Sequence, residues 1–138
     1  MLALIMIFPA VAVARHTQEN PMKLRIILDD KTITATLNDS QTSLEFAALL
    51  PLTLTLKDYA GEEKISDLPG RLSTTGSPAG TAVKKGDITI YAPWGNLAIF
   101  YKPHGYVNGL IKLGQLDEPG DLPIHPVAYS ARFELLTE

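Results

Sequence analysis

The sequence "GDITIYAPWGNLAIFY", residues 86–101, places two short apolar runs on either side of a turn. Runs rich in isoleucine, threonine and aromatic residues are typical of β-strands. Between the runs stand Pro93, Gly95 and Asn96, which are residue types that favour turns. The pattern predicts a β-hairpin with Trp94, the only tryptophan of the chain, in its turn.

The second run of this hairpin assigns its side chains to two faces, because successive residues of a strand point in opposite directions. One face carries Leu97, Ile99 and Tyr101, and the other carries Ala98 and Phe100. We predict that one set fills the interior of the protein and that the other lines an outer groove.

Further strands are predicted from short β-type runs at residues 23–28, 32–37, 52–57, 110–116 and 127–136. The first two runs are separated by a polar turn and predict a second hairpin. The last run is far from the first in sequence, and we expect it to close against it. About seven short strands and one helix predict a mainly β fold, either a closed barrel or a sandwich.

A short helix is predicted between the second and third of these strands. Thr42 and Glu45 have the spacing of a capping box, in which each residue satisfies a backbone amide of the other. Pro51 should end the helix, because the residue before a proline avoids the helical conformation. Three apolar residues at helical spacing would form its buried stripe: Leu44, Ala47 and Ala48.

The segment 58–86 is polar and rich in glycine, proline, serine and threonine, and it predicts a long loop of the kind that is often functional. Its part at residues 74–80, "TTGSPAG", lacks the lysine of a phosphate-binding loop and is interpreted as a flexible flap. Glu62 and Glu63 are candidates for an acid and a base. Adjacent side chains point apart on an extended backbone, which favours a solvated loop with an ion pair to Lys64.

The composition excludes several classes of function. The chain of 138 residues carries 12 Lys and Arg against 15 Asp and Glu, and the net charge of −3 argues against a nucleic-acid-binding surface. It has no cysteine, which excludes disulfides, zinc–thiolate sites and thiol catalysis. The three histidines are far apart and show no metal-ligand spacing. We therefore predict no metal and no cofactor.

The first residues, "MLALIMIFPAVAVA" at 1–14, are apolar and uncharged but too short to span a membrane as a helix. They resemble a signal peptide with cleavage after Ala14, although no basic residue precedes them and the start could lie inside a longer leader. This interpretation predicts an exported protein, periplasmic or secreted, without a stable membrane anchor. Residues 15–22 would then form a tail and residues 23–138 the folded domain. The alternative is a cytoplasmic protein that starts at Met22.

Two segments carry a family resemblance: "SLEFAALLPLTLTLKDYAGEEKISDLP" at residues 43–69 and "GDITIYAPWGNLAIFYKPHGYVNGLIKLGQL" at residues 86–116. Together they resemble the bacterial cyclophilin-like proteins, small domains of largely uncharacterised function. The resemblance covers roughly residues 22–136. It implies a small closed cyclophilin-like β-barrel with one short helix at an end.

True peptidyl-prolyl isomerases with this barrel carry a catalytic arginine in a Phe-His-Arg stretch, followed by a Gln-Gly-Gly-Asp segment. Neither motif is present in this chain, and Arg71 lies instead in a glycine-rich segment. Efficient isomerase activity is therefore not expected, and no catalytic residue is predicted.

The resemblance and the aromatic hairpin together predict a binding domain for a small molecule or a proline-containing peptide. Its groove would be built from Tyr59, Lys64, Tyr91, Trp94, Asn96, Phe100 and Tyr101. A divergent isomerase that uses Arg71 or Lys64 is one alternative. An accessory domain of a flavodoxin-type redox system, a role implied by the resemblance alone, is another. A purely structural alternative also stays open, in which Trp94 plugs the barrel end and Asn96 serves the turn.

Overall fold

The computed structural model describes residues 3–5 and 21–136. The predicted leader and its cleavage point lie outside these residues, apart from residues 3–5, of which Leu4 and Ile5 are exposed. No helix in the described part of the chain has the length and apolar character needed to cross a membrane.

Ten strands and one α-helix make up most of the described chain. In order they are β1 (Met22–Ile27), β2 (Thr32–Leu37), α1 (Gln41–Ala48), β3 (Leu52–Tyr59), β4 (Glu63–Asp67), β5 (Gly80–Val83), β6 (Asp87–Tyr91), β7 (Asn96–Phe100), β8 (His104–Asn108), β9 (Leu110–Leu116) and β10 (Tyr129–Leu135), with a short 3₁₀ helix at Pro119–Asp121.

Eight of these strands form a closed antiparallel barrel in the order β1-β10-β3-β4-β7-β6-β9-β2. The predicted mainly β barrel with one short α-helix is confirmed. The last strand pairs with the first, so that Ile26 stands opposite Phe133, and closure leaves the barrel without a free edge. The two predicted hairpins also form, with β1 pairing with β2 and β6 pairing with β7.

The barrel interior is filled by alternate residues of its strands, as the period of two requires. Leu54 and Leu56 of β3 point inward, as do Leu97 and Ile99 of β7. The helix contributes Phe46, whose ring packs edge-on against Phe133 of β10 with 6.1 Å between ring centroids. The helix therefore packs its aromatic side chain into the core of the barrel.

The predicted helix start is wrong by two residues. The N-cap is Ser40, whose hydroxyl accepts a hydrogen bond from the Ser43 amide at 3.1 Å. Thr42 lies inside the helix, fully buried, and donates to the carbonyl of Ser73 at 2.6 Å. Glu45 accepts from the Ser73 amide at 2.8 Å instead of reaching back to the helix start. The two residues bind the following loop, and this long-range contact replaces the predicted capping box.

The predicted apolar stripe of the helix is wrong in part, because the helix starts earlier and turns a different face to the barrel. Leu44 is 49% exposed and Ala48 is also exposed, whereas Ala47 is buried as predicted. The buried face consists of Thr42, Ser43, Phe46 and Ala47.

The long loop predicted at residues 58–86 is wrong, because this segment contains the end of β3 and all of β4 and β5. The segment that joins β7 to β9 also contains a strand, β8, which pairs with β5 in a separate two-stranded sheet. Gly80 permits this pairing, since a Cβ atom there would lie 2.3 Å from the Val107 carbonyl oxygen. The longest irregular part of the segment, residues 68–79, is tied to the helix through Ser73.

Candidate functional site

The outer face of the β6–β7 hairpin carries the second hydrophobic cluster of the protein. Ala98 and Phe100 turn outward and pack with Val83 and Leu110, while Leu97 and Ile99 fill the barrel. The two faces predicted for β7 are thereby confirmed.

A cavity of about 300 Å³ lies on this outer face. It is bounded by residues from β3, β4, β6, β7, β8 and β9 and by the turn that holds Trp94. The lining residues are Tyr59, Glu63, Tyr91, Trp94, Asn96, Phe100, His104, Val107 and Leu110. A small, mainly apolar cavity with a few polar groups is the usual form of a ligand site.

Five of the seven residues predicted for the groove line this cavity: Tyr59, Tyr91, Trp94, Asn96 and Phe100. Lys64 and Tyr101 do not. Lys64 stands opposite Ile99 in the β4–β7 ladder, and both residues face the barrel interior. Tyr101 packs against the interior cluster. Their predicted place in the groove is corrected because strand alternation turns them to the opposite side of the sheet.

Sequence reasoning missed four lining residues: Glu63, His104, Val107 and Leu110. One signal was present for Glu63, since the neighbour of an inward residue on a strand must point outward. The prediction of a loop at residues 58–86 makes no use of this alternation. His104 and Val107 belong to β8, whose pairing with β5 joins segments more than twenty residues apart in the chain.

Trp94 forms a partly exposed wall of the cavity. Its side chain is 56% exposed, so it does not plug the barrel. Its ring stands nearly perpendicular to those of Tyr59 and Tyr91, at centroid distances of 5.8 and 5.4 Å. Such edge-to-face pairs stabilise each other and define the positions of all three rings.

Arg71 holds the turn beneath this aromatic wall. Its guanidinium donates to the carbonyls of Ala92 at 2.7 Å and of Pro93 at 3.3 Å. Its side chain also lies close to Gly95, which adopts a left-handed conformation with φ of 69°. Arg71 is therefore a positioning residue for the turn that carries Trp94.

Asn96 begins β7 and is 3% exposed. Its Nδ2 donates to the Leu97 carbonyl at 3.1 Å, whereas its Oδ1 has no hydrogen-bond partner within the described residues. Asn96 does not serve the turn through a positive φ, since Ala60 is the only described non-glycine residue with one. A buried acceptor left unpaired costs about 1–3 kcal/mol, which a donor on a ligand would offset.

Comparison with known proteins assigns this chain to a family. The model of the cyclophilin-like family matches residues 26–132, most of the described chain. The chain belongs to the cyclophilin-like family. The solution structure of a hypothetical protein from Archaeoglobus fulgidus is similar, with a TM-score of 0.60 and 16% identity over 83% of this chain and 94% of the archaeal one. At that identity the likeness concerns the fold alone. No curated protein matches the sequence.

Glu63 is the carboxylate of the cavity in this cyclophilin-like barrel. Burial raises its pKa to about 7, and the nearby Glu62 and Asp58 add to the rise, whereas His104 lowers it. The side chain therefore changes its charge near neutral pH. No group of three or more His, Asp and Glu side chains within residues 3–5 and 21–136 is placed to hold a metal ion.

The pKa of Glu63 predicts a pH dependence of stability. Its ordinary value is 4.5, so the folded protein binds this proton more tightly than the unfolded chain does. That contribution is fully present below the unfolded pKa and is lost as the pH rises through about 7. Urea midpoints should therefore rise as the pH falls from about 8 to about 5.5.

Glu63→Gln should flatten this rise, whereas Glu62→Gln, a change of the same charge beside it, should largely keep it. Three other carboxyl groups have lowered pKa values and affect the stability only in more acidic solution: those of Asp58, Asp117 and Glu134. An unchanged pH profile in Glu63→Gln would contradict the assignment.

On the inner side of the cyclophilin-like barrel, Lys64 forms a buried ion pair. Its Nζ lies 3.1 Å from Asp58 Oδ1 and donates to the His125 carbonyl at 2.6 Å. The ammonium also lies near the rings of Tyr101 and Tyr129, 5.6 and 5.8 Å from their centroids. The hydroxyl of Tyr101 donates to Asp58. The ammonium of Lys64 is thus held inside the protein by a carboxylate and a carbonyl.

Proposed function

We propose that this chain is a binding domain for a small organic molecule and that the cavity beside Trp94 is its site. The observation that carries the proposal is that Asn96, whose Oδ1 is buried and unpaired, lines an apolar cavity with a partly exposed aromatic wall. Buried polar atoms are nearly always paired, and an exception in a cavity is best explained by a missing partner.

The size of the cavity favours a small molecule over a proline-containing peptide. Its volume of about 300 Å³ is at the lower end of the range for ligand sites. A peptide would extend beyond the lining.

Binding is favoured over prolyl isomerisation because both cations considered for isomerisation are already engaged. Arg71 holds the carbonyls of Ala92 and Pro93, and Lys64 is fully buried on the opposite side of the sheet from the cavity. No observation on the described residues favours a role beside a flavodoxin.

Trp94→Ala tests the proposed site. In ligand-observed NMR with a mixture of acidic, neutral and basic aromatic fragments, at least one fragment should receive saturation from the wild type and lose it in Trp94→Ala. The variant should lose only about 1–3 kcal/mol of the free energy of unfolding, the value of its two aromatic pairs, because Trp94 is half exposed.

Ile124→Ala is the matched control, since Ile124 is 59% exposed and apolar but does not line the cavity. It should leave fragment binding unchanged. The proposal fails if no fragment binds the wild type, or if binding survives in Trp94→Ala.

A further inference from the structure

The charges of the cavity lining disfavour an anionic ligand. Glu63 is the only acidic residue among the nine lining residues, and none of them is a lysine or an arginine. His104 is exposed, and its Nδ1 lies 2.9 Å from the Gly105 carbonyl oxygen. An anion in this cavity would meet the carboxylate of Glu63 without a fixed cation to balance it. The lining therefore favours a neutral or a positively charged molecule.

The aromatic residues favour a positive charge. Tyr59, Tyr91 and Trp94 stand at interplanar angles of 87° and 81°, so that their rings form adjoining walls rather than a parallel stack. Aromatic rings attract a cation electrostatically, and the net gain is larger where the cation is removed from water. A carboxylate beside such walls adds a charge of the opposite sign.

The remaining polar atom specifies a hydrogen-bond donor. Asn96 Nδ2 already donates one hydrogen bond to the Leu97 carbonyl, whereas Oδ1 is the amide atom with no partner. Oδ1 can only accept, so its partner must carry an N–H or an O–H group. A quaternary ammonium ion satisfies the rings and the carboxylate but has no N–H for Asn96.

We propose that the cavity binds a protonated alkylamine, with its ammonium group between the Glu63 carboxylate and the aromatic walls and an N–H donated to Asn96 Oδ1. This inference rests on the proposed function, because it names the ligand class of the same cavity.

The pH dependence of binding provides a second test for an amine ligand. Glu63 faces Glu62, Asp58 and His104, and its pKa is raised to about 7. An alkylamine stays protonated throughout the neutral range. Amine binding should therefore weaken as the pH falls through about 7 and Glu63 becomes neutral. The variant at position 63 assigns the effect to this carboxylate.

The test compares three probes of similar size: benzylamine, whose primary ammonium has N–H groups for both Asn96 and Glu63, benzyl alcohol and phenylacetate. Ligand-observed NMR titrations at about pH 8 should show the amine binding most tightly and phenylacetate most weakly. Glu63→Gln should weaken amine binding about tenfold, the value of one charge-assisted hydrogen bond, and should remove its pH dependence. Glu62→Gln is the matched control and should leave amine affinity nearly unchanged, because Glu62 does not line the cavity.

The outcomes separate this inference from the function on which it rests. If benzyl alcohol or phenylacetate binds as well as the amine, and Glu63→Gln changes nothing, the amine assignment is overturned while the cavity remains a binding site. If no probe and no fragment binds the wild type, both are overturned. Tight amine binding that depends on Glu63 but not on Glu62 supports both.

Discussion

Phe46→Ala is expected to lower the free energy of unfolding by about 3–5 kcal/mol. Phe46 is fully buried, and its ring packs edge-on against Phe133 in the core of the barrel. Truncation removes the apolar contact area and leaves a cavity, because neither the helix nor the closed barrel can collapse fully around the gap. Urea denaturation, followed by circular dichroism, measures the loss as a lower midpoint at an unchanged slope.

Leu44→Ala is the control on the same helix. Leu44 is 49% exposed, and its truncation should change the free energy of unfolding by less than about 1 kcal/mol. Equal losses for Leu44→Ala and Phe46→Ala would show that the helix turns another face to the barrel.

This pair of residues shows why the helix was predicted only in part. Its length and its end before Pro51 follow from local rules, but its orientation does not. Thr42 and Ser43 are polar and nevertheless buried, because the carbonyls of Ser73 and Leu113 accept from their hydroxyls. Those partners lie 31 and 70 residues away in the chain. A hydrophobic stripe in the sequence contains no record of such contacts.

The strands show the same contrast between features that a local pattern predicts and features that depend on distant contacts. In β7, the division of the side chains between two faces was predicted correctly, although the sequence pattern left open which set faces inward. β4 was missed because the residues that it turns inward are Lys64 and Ser66, which a periodic pattern assigns to solvent. The missed strand also explains the errors in the predicted groove. Lys64 is predicted there but faces the barrel interior, whereas its neighbour Glu63 lines the cavity. The aromatic residues of the cavity were predictable from the hairpin and the family resemblance.

Asp58→Asn is expected to lower the free energy of unfolding by about 3 kcal/mol. The change leaves the ammonium of Lys64 fully buried without its counter-ion, next to two tyrosine rings and one carbonyl that cannot balance a full charge. The value is at the lower end of the range for a broken buried ion pair, because the side chain of Asp58 is itself 22% exposed. Urea melts at neutral pH give the loss directly.

In acidic solution, the free energies of unfolding of Asp58→Asn and the wild type should differ less. The hydrogen bond from Tyr101 and the charge of Lys64 lower the pKa of Asp58 below its ordinary 3.8. A lowered pKa gives stability that is present above the unfolded value and is lost as the pH falls through the folded one. The two proteins should therefore converge below about pH 4.

Lys64→Met completes the comparison. It removes the buried charge and leaves Asp58 in partial contact with water. It should therefore lower the free energy of unfolding by less than Asp58→Asn does, even though the His125 carbonyl loses its donor. The double variant should be more stable than the sum of the two single losses predicts, by about 1–3 kcal/mol, because two residues in one ion pair are coupled. Additive losses would mean that the pair contributes no coupling. A larger loss in Lys64→Met would mean that the lysine stabilises the barrel through the His125 carbonyl and the tyrosine rings, rather than through Asp58.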